Sequence, residues 1–171
     1  MTTPEMLTAL DGMVCLVDTR EQDTPRLRRR LKQIGVPCRR EKLDAGDYAA
    51  SFPLPDGTWI TAPVVIERKM NLDELAACYC RGRDRFAREF DRARSAGCKI
   101  YLLVESGSWE DLYAGHYRSK MNPKSFVNSL LAWLARYDCQ ILFCEPQTTG
   151  QLIHDTLYRE GKQFLEGMVN E

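Results

Sequence analysis

Val64-Val65-Ile66-Glu67-Arg68-Lys69 is an apolar run that ends in charge, with Asp73 four residues further on. The run reads as a strand, and Pro63 before it marks a bulge or an edge. In a strand the i, i+2 spacing places Glu67 and Lys69 on one face. A carboxylate there can hold a divalent cation while the neighbouring ammonium steers a water or a phosphate. More acids lie upstream: Asp18 and Glu21 in Val17-Asp18-Thr19-Arg20-Glu21, and Asp47 in Gly46-Asp47-Tyr48.

Working outward, Met13 to Val17 is a short apolar run that predicts a strand ending at Asp18. Thr24-Pro25 is a cap followed by proline at the first helical position. Leu27, Leu31 and Ile34 then form a helical stripe that Gly35 stops. Val36 to Leu43 and Asp47 to Ala50 read as strands, and Pro55-Asp56-Gly57 turns into a strand from Thr58. Asn71 caps a helix through Cys80, and a second helical pattern covers Asp84 to Ala96. Lys99 to Val104 is a strand, Asn122-Pro123 opens a helix to about Arg136, Cys139 to Cys144 is a strand, and Thr149 to about Gly167 is the last helix. This alternation predicts an α/β fold, a mixed central sheet flanked by helices on both faces, as one domain spanning 1–171 with its core at about 13–167.

Composition excludes several classes. With 171 residues, 44% hydrophobic and 28% charged, the chain is an ordinary globular one with room for a single good core. No apolar run is long enough to cross a membrane, and Met1 to Leu10 carries Glu5 and no basic residue, unlike a secretory signal. The seven cysteines are scattered and lack zinc-ligand spacing, which predicts thiols in a reducing cytosol. Net charge is zero, yet residues 20–42 hold nine Lys/Arg against three acids, and residues 81–94 hold six Arg against three acids. Such runs serve as solvated helix faces, or as the walls of a groove for a phosphate backbone.

Phosphodiester cleavage needs an attacking water, stabilisation of growing negative charge, and help for the leaving oxygen. Mg²⁺ supplies much of this through oxygen ligands. Asp47 and Glu67 stand at the ends of predicted neighbouring strands, a backbone carbonyl near Arg68 is a further donor, and Lys69 is placed to orient water or neutralise phosphate. Asp18 and Glu21 follow the first strand and could hold a second ion or a water. Each piece alone has a plainer reading: Gly-Asp-Tyr as a turn, Asp18-x-x-Glu21 as a helix start. The ordered set is what points to chemistry. His116 and His154 read as surface or helix residues.

The set Val17-Asp18-x-Arg20-Glu21, Gly46-Asp47 and Glu67-Arg68-Lys69-x-x-x-Asp73 resembles the signature of the XPF-type structure-specific endonucleases, within the restriction-endonuclease-like superfamily. Gly35-Val36, Arg81 and Arg83, and Tyr101-Leu102-Leu103-Val104-Glu105 also resemble the family pattern. The resemblance implies a restriction-endonuclease-like core and a metal-dependent DNA endonuclease acting on branched, flapped or junction DNA in repair or recombination. It implies Asp47 and Glu67 as metal ligands, with the Arg68 carbonyl, for Mg²⁺ or Mn²⁺. Lys69 would be the catalytic lysine, Asp18 would support metal or water, and Glu21 would sit beside it. Arg68 and Asp73 would brace the strand end, and Arg20, Arg81 and Arg83 would contact phosphate or brace carboxylates. Met70 stands where such motifs carry Ser.

The helicase and helix-hairpin-helix modules usual in the family are not expected in this chain. The family also implies a homodimer, or pairing with a related subunit, through C-terminal helices. Phe126, Leu130, Trp133 and Leu134, and Leu152, Ile153, Leu157, Phe164 and Leu165, are the stripes in question, and such stripes equally serve a core. Two rival functions are a silent DNA- or partner-binding scaffold, and a recombination or repair nuclease acting on DNA ends.

Overall fold

The computed structural model describes residues 1–169, so the last two positions of the expected 1–171 domain lie outside the described residues. The elements run α1 (Thr3–Asp11), β1 (Val14–Asp18), α2 (Pro25–Ile34), β2 (Cys38–Glu41), β3 (Tyr48–Pro53), β4 (Trp59–Thr61), β5 (Val64–Lys69), α3 (Leu72–Cys80), α4 (Arg83–Ser95), β6 (Lys99–Glu105), α5 (Trp109–Ala114), α6 (Pro123–Tyr137), β7 (Gln140–Cys144) and α7 (Thr149–Val169). The strands form a mixed seven-stranded sheet in the order β2-β1-β3-β5-β6-β7, with β4 paired to β3. The mixed α/β sheet expected from the alternation of elements is the architecture found. Two compact units divide the chain: Met1–Leu43, Asp47–Val65 and the segment from Gln147 in the first, Asp44–Gly46 and Ile66–Pro146 in the second.

In the first unit β1 pairs in parallel with β2 and antiparallel with β3. Residues 48–52 of β3 are buried without alternation, and α1 and α7 pack against this strand. Gly161 of α7 crosses the fully buried Phe52, and a Cβ at that position would overlap the ring. At α2, Thr24 Oγ1 accepts the Leu27 N–H at 3.1 Å, Pro25 takes the first turn, and Gly35 ends the helix at φ 74°. That φ lies in the left-handed region, which glycine enters at little cost. Strand β2 shows exposed Arg39, Arg40 and Glu41, charges that blunt a sheet edge.

In the second unit β6 and β7 pair in parallel, and Leu102, Leu103 and Val104 are fully buried. Tyr79, Phe86, Phe90, Trp133 and Tyr137 make an aromatic cluster in which Phe86 stacks on Trp133 at 4.7 Å and 12°. Phe126, Leu130 and Trp133 are therefore core residues of their own unit. Ile153, Leu157 and Leu165 of α7 are likewise buried, while Leu134, Leu152 and Phe164 are half-buried.

Some elements differ from the sequence expectation. β2 covers only Cys38–Glu41 of the expected 36–43, because Leu43 turns its N–H to the Asp18 carboxylate at 2.8 Å. β3 starts at Tyr48 and continues to Pro53, three residues past the expected end at Ala50. Helices α1 and α5 have no counterpart in that expectation. α1 rests on a capping box, with Thr2 N–H donating to Glu5 Oε2 at 2.7 Å and Glu5 N–H to Thr2 Oγ1 at 3.4 Å. α5 spans only 6 residues, between a Ser108 cap and Gly115, too short to show a periodic stripe.

Candidate active site

The end of β5 carries the geometry expected of its alternation. Lys69 Nζ lies 2.6 Å from Glu67 Oε1, and both side chains are largely buried, Glu67 at 5% and Lys69 at 9% exposure. Lys69 Nζ also sits 5.1 Å above the Phe86 ring centre. The Cys78 thiol of α3 lies beside this ammonium; burial pushes its pKa up, while Lys69 pulls it the other way. One carboxylate, one ring face and one thiol thus fix the ammonium. Nothing in the sequence spacing singles out Phe86 or Cys78, which reach the site from two helices.

Arg68 points from the opposite face of β5 and pairs with Glu105 at the end of β6, at 3.3 Å, with both side chains mostly buried. The bridge ties the two strand ends together. Just beyond it Ser106 has φ 50°, a left-handed conformation unusual for serine, and its N–H donates to the Cys144 carbonyl at 2.9 Å. Asp73, in the first turn of α3, takes the N–H groups of Arg118 and Ser119 at 2.8 and 2.7 Å and the Arg118 Nε at 3.3 Å. It therefore anchors the loop 116–121. Arg81 and Arg83 lie at the end of α3 and the start of α4.

Asp18, Arg20, Glu21 and Asp47 belong to the first unit, and Glu67, Arg68, Lys69, Asp73, Arg81 and Arg83 to the second. Asp18 is fully buried. Its oxygens accept the Arg20 N–H at 2.7 Å, Arg20 Nε at 2.6 Å, Arg20 Nη2 at 3.3 Å and the Leu43 N–H at 2.8 Å. Burial pushes its pKa up, but Arg20 and the two backbone donors outweigh this and hold it below the usual carboxylate range. Glu21 Oε2 takes Arg30 Nη1 at 3.2 Å and the Tyr48 hydroxyl at 3.1 Å, with Arg30 Nη1 also donating to that hydroxyl at 2.8 Å. Arg30 is only 6% exposed. The basic segment 20–42 is thus partly spent inside its own unit: Arg28 holds Asp23, Arg39 holds Glu41, and Arg40 reaches the carbonyls of Thr19 and Glu21.

Asp47 follows Gly46, whose φ of 73° turns the chain, and its carbonyl accepts the Asp18 N–H at 2.9 Å. Asp18 therefore positions the backbone of Asp47 while its own oxygens are engaged. Asp47 in the first unit and Glu67 in the second each carry hard carboxylate oxygens, the donor type a divalent cation takes. Four donors already reach the two oxygens of Asp18. Among the described residues no group of three or more His, Cys, Asp or Glu could hold a metal. His116 and His154 lie beside Asp111 and Asp155, at 3.3 and 2.9 Å. None of the seven cysteines forms a disulfide. Among the described residues no helix is long and apolar enough to cross a membrane.

Comparison with known proteins gives a family and a fold. A family model described as the ERCC4 domain matches residues 17–156, a span that contains Asp18, Asp47, Glu67, Lys69 and Asp73. Among solved structures, XPF from Aeropyrum pernix is similar at a TM-score of 0.63 and 21% identity over 91% of this chain and 68% of that one. XPF from Aeropyrum pernix in complex with DNA is similar at 0.61 and 20%, over 88% of this chain and 65% of that one. At such identities these structures establish the shared fold, and this chain spans about two thirds of their length. No curated protein matches significantly.

Proposed function

The chain belongs to the ERCC4 domain family, and from that premise we propose that it is a metal-dependent DNA endonuclease, with branched, flapped or junction DNA as its substrate class. The observation that carries this reading is the buried Glu67–Lys69 pair at 2.6 Å. Taking two charges out of water costs several kcal/mol, which their attraction roughly offsets, so such a pair is a poor device for stability. Held at a strand end in the family's motif, it is better explained by chemistry.

In this reading the carboxylates of Asp47 and Glu67, with the Arg68 carbonyl, are the proposed Mg²⁺ ligands. A bound ion would supply Lewis-acid activation of water and charge neutralisation at the phosphate. The chain's own part falls to Lys69. Its ammonium, kept in place by Glu67, Phe86 and Cys78, orients the attacking water and offsets charge growing on the phosphoryl oxygens. Arg68 and Glu105 keep the strand end rigid, and Asp18 fixes the Asp47 backbone. The setting would be DNA repair or recombination inside the cell.

The test is a panel of end-labelled flap, fork, duplex and single-stranded DNAs with Mg²⁺ or Mn²⁺. Cleavage of a junction substrate, stopped by excess EDTA, is the expected outcome. Cutting restricted to DNA ends would favour an end-processing nuclease, and no cutting of any substrate would favour a silent scaffold of this fold. The family's homodimer is a further expectation. With Phe126, Leu130 and Trp133 buried in their own unit, it would use a flank such as exposed Leu131 and Tyr113. Light scattering should then give twice 19.7 kDa at micromolar concentration, and a monomeric mass would count against it.

A further inference from the structure

Within the second unit, the end of α3 and the loop 116–121 enclose a cleft of about 640 Å³, lined by Asp73, Arg81, Arg118, Ser119 and Lys120 among others. Three cations and one carboxylate line it, and that carboxylate is already used. Asp73 accepts two backbone N–H groups and the Arg118 Nε from the loop. The loop is closed further by the Tyr117 hydroxyl, which donates to the Met121 carbonyl at 2.9 Å, and by Ser119 Oγ, which accepts the Met121 N–H at 3.2 Å. Arg81 and Lys120 are both exposed. Arg118, although it touches Asp73, keeps 89% of its side chain in solvent.

We propose that this cleft is a binding site for the phosphate backbone of nucleic acid, in which Arg81, Arg118 and Lys120 contact successive phosphates and Asp73 is the positioning residue that holds their loop. The inference rests on the DNA reading above. A loop already ordered by five hydrogen bonds gives up little entropy when its cations meet an anion, and arginine suits bidentate phosphate contact. The final aspartate of the Glu-Arg-Lys-x-x-x-Asp motif then acts in binding, through residues far along the chain, with no part at the metal.

The test is fluorescence anisotropy with a labelled DNA duplex in EDTA, across salt from about 50 to about 200 mM. The double variant Arg118→Gln, Lys120→Gln should bind about tenfold more weakly or worse. Its slope of log affinity against log salt should be shallower by about 2, one for each phosphate left without its cation. Asp73→Asn, which keeps every cation, should weaken binding several-fold with the slope nearly unchanged. Thermal melting of each variant checks that the fold persists. Unchanged affinity and slope in the double variant would overturn the proposal, as would a wild type that binds no DNA. A wild type that binds with a steep salt slope yet cuts nothing would sink the nuclease reading and leave this site standing.

Discussion

Lys69→Ala is expected to lower DNA cleavage by about a thousandfold, the scale of losing one positioned group that stabilises charge in the transition state. Affinity for DNA in EDTA should fall much less, because Arg81, Arg118 and Lys120 are untouched. The same substitution carries a stability cost. It leaves Glu67, at 5% exposure, buried without its ammonium, and removing one partner of such a pair costs about 3–5 kcal/mol. Reduced activity in an unstable variant would prove little by itself. Glu67→Gln combined with Lys69→Met removes both charges at similar volume, which in buried pairs is often neutral or stabilising. This double variant should melt near the wild type and cleave nothing. Near-wild-type cleavage by Lys69→Ala would remove the lysine from the mechanism.

The second large effect is on stability. Asp18→Asn replaces an acceptor of four hydrogen bonds with an amide whose NH₂ must face a donor, either Leu43 N–H or Arg20. The expected loss is about 3 kcal/mol at pH 7, from a charged hydrogen-bonded group in a buried site. The native pKa of Asp18 is depressed, so the unfolded chain takes up its proton first as pH falls. Its contribution is therefore full above about pH 4, the ordinary Asp value, and is lost as pH drops through the lower native value. Denaturant titrations at neutral and strongly acidic pH should show the gap between wild type and variant shrinking in acid. An equal gap at both would mean that ionised Asp18 contributes nothing.

What can be read in the sequence is local. Thr24-Pro25 and Gly35 bound α2, Asn71 opens α3, and alternation along β5 puts Glu67 beside Lys69. The capping box of α1 is equally legible in Thr2-Thr3-Pro4-Glu5, once that stretch is read as a helix start rather than tested only as a leader. What escapes depends on contacts made far along the chain. Arg30 lies in a run of arginines that looks solvated, yet it is buried against Glu21 and Tyr48. Arg68 finds Glu105, and Asp73 finds Arg118 and Ser119, only through tertiary packing. The same applies to Phe86 and Cys78, which reach the Lys69 ammonium from two helices. The C-terminal stripes carry two meanings, core and interface, and burial within each unit assigns Phe126, Leu130, Trp133, Ile153, Leu157 and Leu165 to the core.

The most direct measurement compares wild type with Glu67→Gln, Lys69→Met on a labelled junction DNA with Mg²⁺, under single-turnover conditions and with matched melting curves. The account predicts product from the wild type only, at equal stability of the two proteins. Cleavage by the double variant at the wild-type rate would contradict it.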